Sequence, residues 1–115
     1  MKRVTIIAAM HGVETYGIDL YEEFIQNFPD LADNVQLIIG NELAYTNKVR
    51  YIDVDMNRHY GKYDNSHESS EIKRVEAQLE SFKPDYIIVF ILQKGILVFS
   101  LFLTRQILFV KLYLI

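Results

Sequence analysis

The chain has 115 residues, a formal net charge of -3 and no cysteine, which limits it to a single domain and excludes a disulfide framework, a thiolate metal site and a nucleophilic thiol. The charge is uneven: the chain is net -6 up to Asp85, where the acidic residues end, and +3 from Tyr86 to Ile115, which carries only Lys94, Arg105 and Lys111. An acidic body excludes non-specific nucleic-acid binding, which requires a patch of Lys and Arg.

The apolar stretch Val4 to Met10 is too short and wrongly flanked for a signal peptide. Together with the missing cysteines it points to a cytoplasmic protein. Residues 3 to 9, RVTIIAA, are β-branched and apolar without punctuation, the pattern of a strand buried on both faces of a parallel sheet. Gly12 breaks the run. From Glu14 onward, Tyr16, Leu20, Tyr21, Phe24, Ile25 and Phe28 recur at three- and four-residue spacing, predicting an amphipathic helix that ends before Pro29 and tolerates Gly17 in its first turn.

NVQLIIG at 34 to 40 predicts a second strand, closed by Gly40-Asn41. Residues 41 to 65 are polar and follow neither period apart from the alternation YIDVDM at 51 to 56. They read as an ordered loop of a length usually tied to function or disorder. Ser66 to Phe82 predicts a second helix, with Ser66 or Ser69 as N-cap, Ile72, Val75, Leu79 and Phe82 on its apolar stripe, and Pro84 beyond its end. DYIIVFI at 85 to 91 predicts a third strand. This βαβ order leads to a mostly parallel sheet with flanking helices, an α/β fold whose ligands bind beyond the carboxyl ends of the strands. The remainder, ILVFSLFLTRQILFVKLYLI, is apolar without helical amphipathicity. It reads as a further strand or a tail foreign to the fold rather than a membrane span, because Lys94, Arg105 and Lys111 interrupt it.

Two constellations carry possible chemistry. His11 and Glu14 stand just past the first strand, and Gly12 between them lets the backbone fold tightly. They are either two ligands of a metal or a turn histidine followed by an acid that favours a helix start. The second is RYIDVDMNRHY at 50 to 60, where Arg50, Asn57 and Arg58 are side chains suited to gripping an anion. The other reading is a solvated edge strand whose charges pair with one another.

Taken together, HGVE at 11 to 14, RYIDVDMNR at 50 to 58 and the βαβ order between them resemble the aspartoacylase and succinylglutamate desuccinylase family. The likeness covers roughly residues 3 to 90. It implies a zinc-carboxypeptidase-like α/β fold and a zinc-dependent hydrolase that cleaves the amide of N-acyl amino acids, a small-molecule substrate. It implies His11 and Glu14 as zinc ligands, Arg50 as the catalytic group polarising the scissile carbonyl, and Asn57 with Arg58 as the grip on the substrate carboxylate. The sequence departs from the family at Val13, which stands for an Asn, and at NELA, 41 to 44, which stands for an Asn-Pro pair. Where the resemblance expects an Asp and a third zinc-binding histidine, the chain has Val89 and Ile91, and no acid follows Asp85 to serve as the glutamate base. The expectation is therefore that residues 1 to 90 are the N-terminal part of such a domain, and that 91 to 115 form an apolar tail from a truncation or frame change. The alternative is a non-catalytic α/β domain that binds an anion or a partner through Arg50 and Arg58.

Overall fold

Strand β1 (Val4–Ala8) buries four of its five residues. It pairs in parallel with β2 (Val35–Ile39) on one side and with the start of β3 (Tyr86–Gln93) on the other. The computed structural model describes the backbone of residues 2–93, 96–103 and 106–114 and the side chains of residues 2–91.

Helix α1 (Tyr16–Asn27) covers one face of the sheet, where Ile18 packs with Ala8, Ala9, Leu37 and Ile39. The approach is close: a Cβ added at Gly17 would lie 2.8 Å from the Ala8 Cβ and 3.0 Å from the Phe90 ring. A glycine that weakens the helix locally is thus the residue that lets it seat on the strand. Helix α3 (His67–Phe82) covers the other face, burying Ile72 and Val75 against Ile7, Met10, Ile38, Met56 and Val89. Ser66 is its N-cap, its side chain accepting from the Ser69 N–H.

The parallel three-strand unit with helices on both faces is the expected α/β arrangement. One region differs from the sequence expectation, and at a second the structure decides between the loop and the edge-strand readings. Glu42–Asn47, within the segment read as loop, forms a short helix α2, capped by the Asn41 side chain and ended by Lys48 in the left-handed region. Six residues show no period, so capping and tertiary contact set this helix. The YIDVDM alternation forms no strand. The backbone N–H groups of Ile52, Asp53 and Val54 instead donate to the Glu68 carboxylate at 2.8 to 3.0 Å, and Met56–Arg58 closes into a 3-10 turn capped by Asp55.

Beyond β3 the apolar segment adds two antiparallel strands, β4 (Ile96–Leu103) and β5 (Gln106–Leu114), giving the order β2-β1-β3-β4-β5. The side chains of Lys94, Arg105 and Lys111 lie outside the described residues. Among the described residues no helix is long and apolar enough to cross a membrane.

Two predictions concern stability. A Cβ at Gly12 would fall 2.3 Å from the Ala44 carbonyl carbon and the Val49 oxygen, backbone atoms that cannot swing aside. Gly12→Ala is expected to cost about 1–3 kcal/mol or more of unfolding free energy in urea; unchanged stability would contradict this packing. Burial pushes the Glu68 carboxyl up, but the N–H groups of Val54 and Ile52, the Asn41 amide and the Asp53 N–H outweigh it and hold the group below its ordinary 4.5. A carboxyl lowered on folding contributes stability that is present above 4.5 and lost as pH falls through the folded value. Glu68→Gln should therefore be about 1–3 kcal/mol less stable at neutral pH and lose less on acidification below pH 4.5 than the parent. Parallel acid profiles for the two proteins would refute the assignment.

Candidate active site

The carboxyl end of β1 delivers the first constellation. Ladder-like bonds continue past the strand, Gly40 N to Ala8 O at 2.7 Å and Asn41 N to Ala9 O at 3.0 Å. Ala9 then takes φ 54, a left-handed conformation that costs a residue with a Cβ roughly 1–2 kcal/mol and turns the chain off the sheet. Glu14 N donates to His11 O at 3.0 Å, so the two side chains leave the same side of a tight turn. Both are buried, with His11 2% and Glu14 7% exposed.

The imidazole is held at both nitrogens. Nδ1 lies 3.1 Å from Glu14 Oε1, and Nε2 lies 2.7 Å from Asp55 Oδ1. The Glu14 carboxylate, burial acting against it, and then Asp55 together keep the His11 pKa above its ordinary 6.5. Burial pushes the Asp55 carboxyl up, but His11, the Asn57 N–H and Arg50 bring it below its ordinary 3.8. With a carboxylate at each nitrogen, the protonated ring donates to both.

The second constellation folds over the first. Gly12 N donates to Arg50 O at 3.1 Å, and Arg50 Nη2 lies 3.5 Å from Asp55 Oδ2. Arg50 therefore joins the site with its guanidinium largely in solvent. Asn57 and Arg58 occupy the adjoining 3-10 turn. Their backbone N–H groups donate to Asp55 Oδ1 and O, while Arg58 is exposed. The structure thus brings His11, Glu14 and Arg50 together through Asp55, and carries Asn57 and Arg58 on the same loop without side-chain bonds to the other three. A groove of about 630 Å³ beside the turn is lined by Gly12, Val13, Thr15, Tyr45, Thr46 and Lys48.

The donor chemistry suits a zinc ion: an imidazole and a carboxylate converge, and Glu14 Oε2 is buried with no hydrogen-bond partner. A buried acceptor left without a donor is costly unless a cation or proton satisfies it. The donor number is short, since among the described residues no group of three His, Asp or Glu side chains is placed to hold a metal. His59 pairs with Asp64 at 2.9 Å, and His67 with Asn41 Oδ1 at 3.2 Å, so neither substitutes. Val89 is a core residue clustered with Ile7, Met10 and Met56, and Ile91 is a half-buried residue packed against that cluster.

Sequence reasoning did not assign Asp55, Glu68 or Asn41. The Asp-x-Asp spacing within the arginine-rich segment was the available signal for Asp55. Glu68 carried none beyond its place in the first turn of a helix, where a carboxylate is ordinarily a local dipole partner.

The sequence model of the succinylglutamate desuccinylase/aspartoacylase catalytic domain matches residues 1–90. A probable aspartoacylase of Prochlorococcus marinus (strain MIT 9312) is 35% identical over 88 residues, which cover 71% of this chain and 29% of the relative. The corresponding protein of strain MIT 9515 is 32% identical over 84 residues, covering 70% and 28%. A succinylglutamate desuccinylase of Serratia proteamaculans (strain 568) is 29% identical over 90 residues, covering 71% and 28%. The chain therefore spans less than a third of the length of these relatives. No solved structure matches it significantly. By the extent of the domain match and the agreement among these relatives, the chain belongs to the succinylglutamate desuccinylase/aspartoacylase family.

Proposed function

We propose that residues 1–90 are the N-terminal part of a zinc-dependent hydrolase that removes the acyl group from N-acyl amino acids, with His11 and Glu14 as two of its metal ligands. The observation that carries this reading is the buried convergence of the two side chains, with Glu14 Oε2 left without a partner. The relatives are named as aspartoacylases and a desuccinylase, which fits that reaction class.

When bound, zinc supplies a Lewis acid for polarising the scissile carbonyl and acidifying water. The chain's own residues prepare for it. Asp55 holds Nε2–H and so leaves Nδ1 as the atom facing Glu14, the carboxylate–histidine arrangement that orients a ligating imidazole. The Nδ1 proton must leave before a metal can take its place. Arg50, exposed beside Asp55, offers a cation where charge develops on the carbonyl oxygen. Asn57 and Arg58, on the same loop, grip the substrate carboxylate. The groove beside Gly12 and Val13 gives the remainder of the substrate room.

Two ligands hold zinc less firmly than three, and the geometry is less fixed. Calorimetric titration of the purified chain with zinc is expected to give a Kd of about micromolar order, lost in His11→Ala and weakened about 10- to 100-fold in Asp55→Asn. Ile91→His, which returns a donor at the position the family resemblance points to, should tighten binding. No heat with the parent, or equal binding by His11→Ala, would overturn the metal reading in favour of a non-catalytic anion-binding domain.

A further inference from the structure

We propose that Glu68, on the first turn of α3, is a positioning residue for the site, holding the 50–58 loop in the one shape that brings Asp55 to His11. The inference rests on the reading of His11 and Glu14 as metal ligands, and its test separates the two.

Glu68 is fully buried, and both its oxygens are occupied. Oε1 accepts from Asp53 N at 2.8 Å and Val54 N at 2.9 Å; Oε2 accepts from Ile52 N at 3.0 Å and Asn41 Nδ2 at 2.8 Å. Three successive N–H groups aimed at one carboxylate require the backbone to curl around it, as in an anion-binding nest. An extended strand, whose successive N–H groups point to opposite sides, cannot do this. Asp53 returns the contact, its Oδ2 accepting from His67 N at 2.8 Å, so the loop and the start of α3 are joined in both directions.

The curl lies between the two points where the loop meets the ligand turn. Before it, Arg50 O accepts from Gly12 N at 3.1 Å; after it, Asp55 Oδ1 meets His11 Nε2 at 2.7 Å. Val54, the last of the three donors, immediately precedes Asp55. The hydrogen bonds of Glu68 go to Asn41, Ile52, Asp53 and Val54 and not to His11 or Glu14, so it acts on the ligand turn through this path. The Asn41 amide links the same carboxylate to the cap of α2, whose last turn packs on Gly12.

Glu68→Gln tests the role, because an amide offers one acceptor oxygen and a donor group where the carboxylate accepts from four donors. Zinc binding is read by calorimetry, and the loop and ring by NMR. The expected result is a zinc affinity about tenfold or more below the parent, amide exchange at Ile52, Asp53 and Val54 at least about tenfold faster, and a His11 ring spectrum shifted as in Asp55→Asn. Ile18→Val, in the core cluster on the opposite face of the sheet, serves as the control for general destabilisation and should leave zinc affinity and the His11 spectrum unchanged. If Glu68→Gln is less stable yet keeps the parent's zinc affinity and His11 spectrum, the positioning role is refuted. Should the variant fail to fold, the parent decides: slow exchange at all three amides supports the curl, and fast exchange there overturns it. If the parent binds no zinc, the hydrolase reading fails, while the exchange rates and the His11 spectrum still decide the role of Glu68.

Discussion

A buried imidazole gripped by a carboxylate at each nitrogen is the constraint on which the site depends. Neither Glu14 nor Asp55 can move far without leaving a charged, desolvated partner behind, a loss that costs more than the net worth of the contact. Glu14 reaches His11 within a single turn, whereas Asp55 comes from 44 residues further along the chain. Everything between, the helix α1, the strand β2, the helix α2 and the segments that join them, must fold so that this second carboxylate arrives. The site therefore reports on the tertiary structure and not on the local turn alone.

Delivery of that carboxylate follows from the sheet. Parallel pairing of β1 with β2 and β3 sets their carboxyl ends at one edge, where the following turns face each other. Gly12 allows the backbone of α2 to close on the ligand turn, and the Arg74 guanidinium donates to the carbonyls of Ile39 and Gly40, holding the end of β2 in place. Glu68 then shapes the loop. Each contact joins a segment with little period of its own to an element with a strong one.

That division explains what the sequence disclosed. Continuous apolar runs such as VTIIA and the three- and four-residue spacing of α1 and α3 reflect burial against the sheet, so those elements were legible to within a few residues. Glu42–Asn47 was not, because a six-residue helix depends on its Asn41 cap and on packing rather than on a repeating face. His11 with Glu14, and Arg50 in the second constellation, were visible as residue types at suitable spacing; the structure joins His11 to Glu14 directly and to Arg50 only through Asp55. The segment at 51 to 56 is the ordered loop its polar character suggested, and the edge-strand alternative fails because three backbone donors that a strand would pair with a neighbouring strand are taken by a side chain. Asp55 as the partner of His11, and Glu68 as the centre of the loop, are tertiary facts that spacing along the chain does not encode. The apolar character of the segment from Ile96 onward was plain, and a further strand was one of the readings left open, but its antiparallel pairing with β3 was not read from the sequence.

The proposed hydrolase site requires His11 and Glu14 to coordinate one ion together. X-ray absorption at the zinc edge of the loaded chain tests this directly, since it identifies the donor atoms. The expected shell contains a single imidazole nitrogen at about 2.0 Å with carboxylate and water oxygens, and the imidazole signature disappears in His11→Ala. A shell with no imidazole, or one that His11→Ala leaves unaltered, would show that the two side chains meet for structural reasons only.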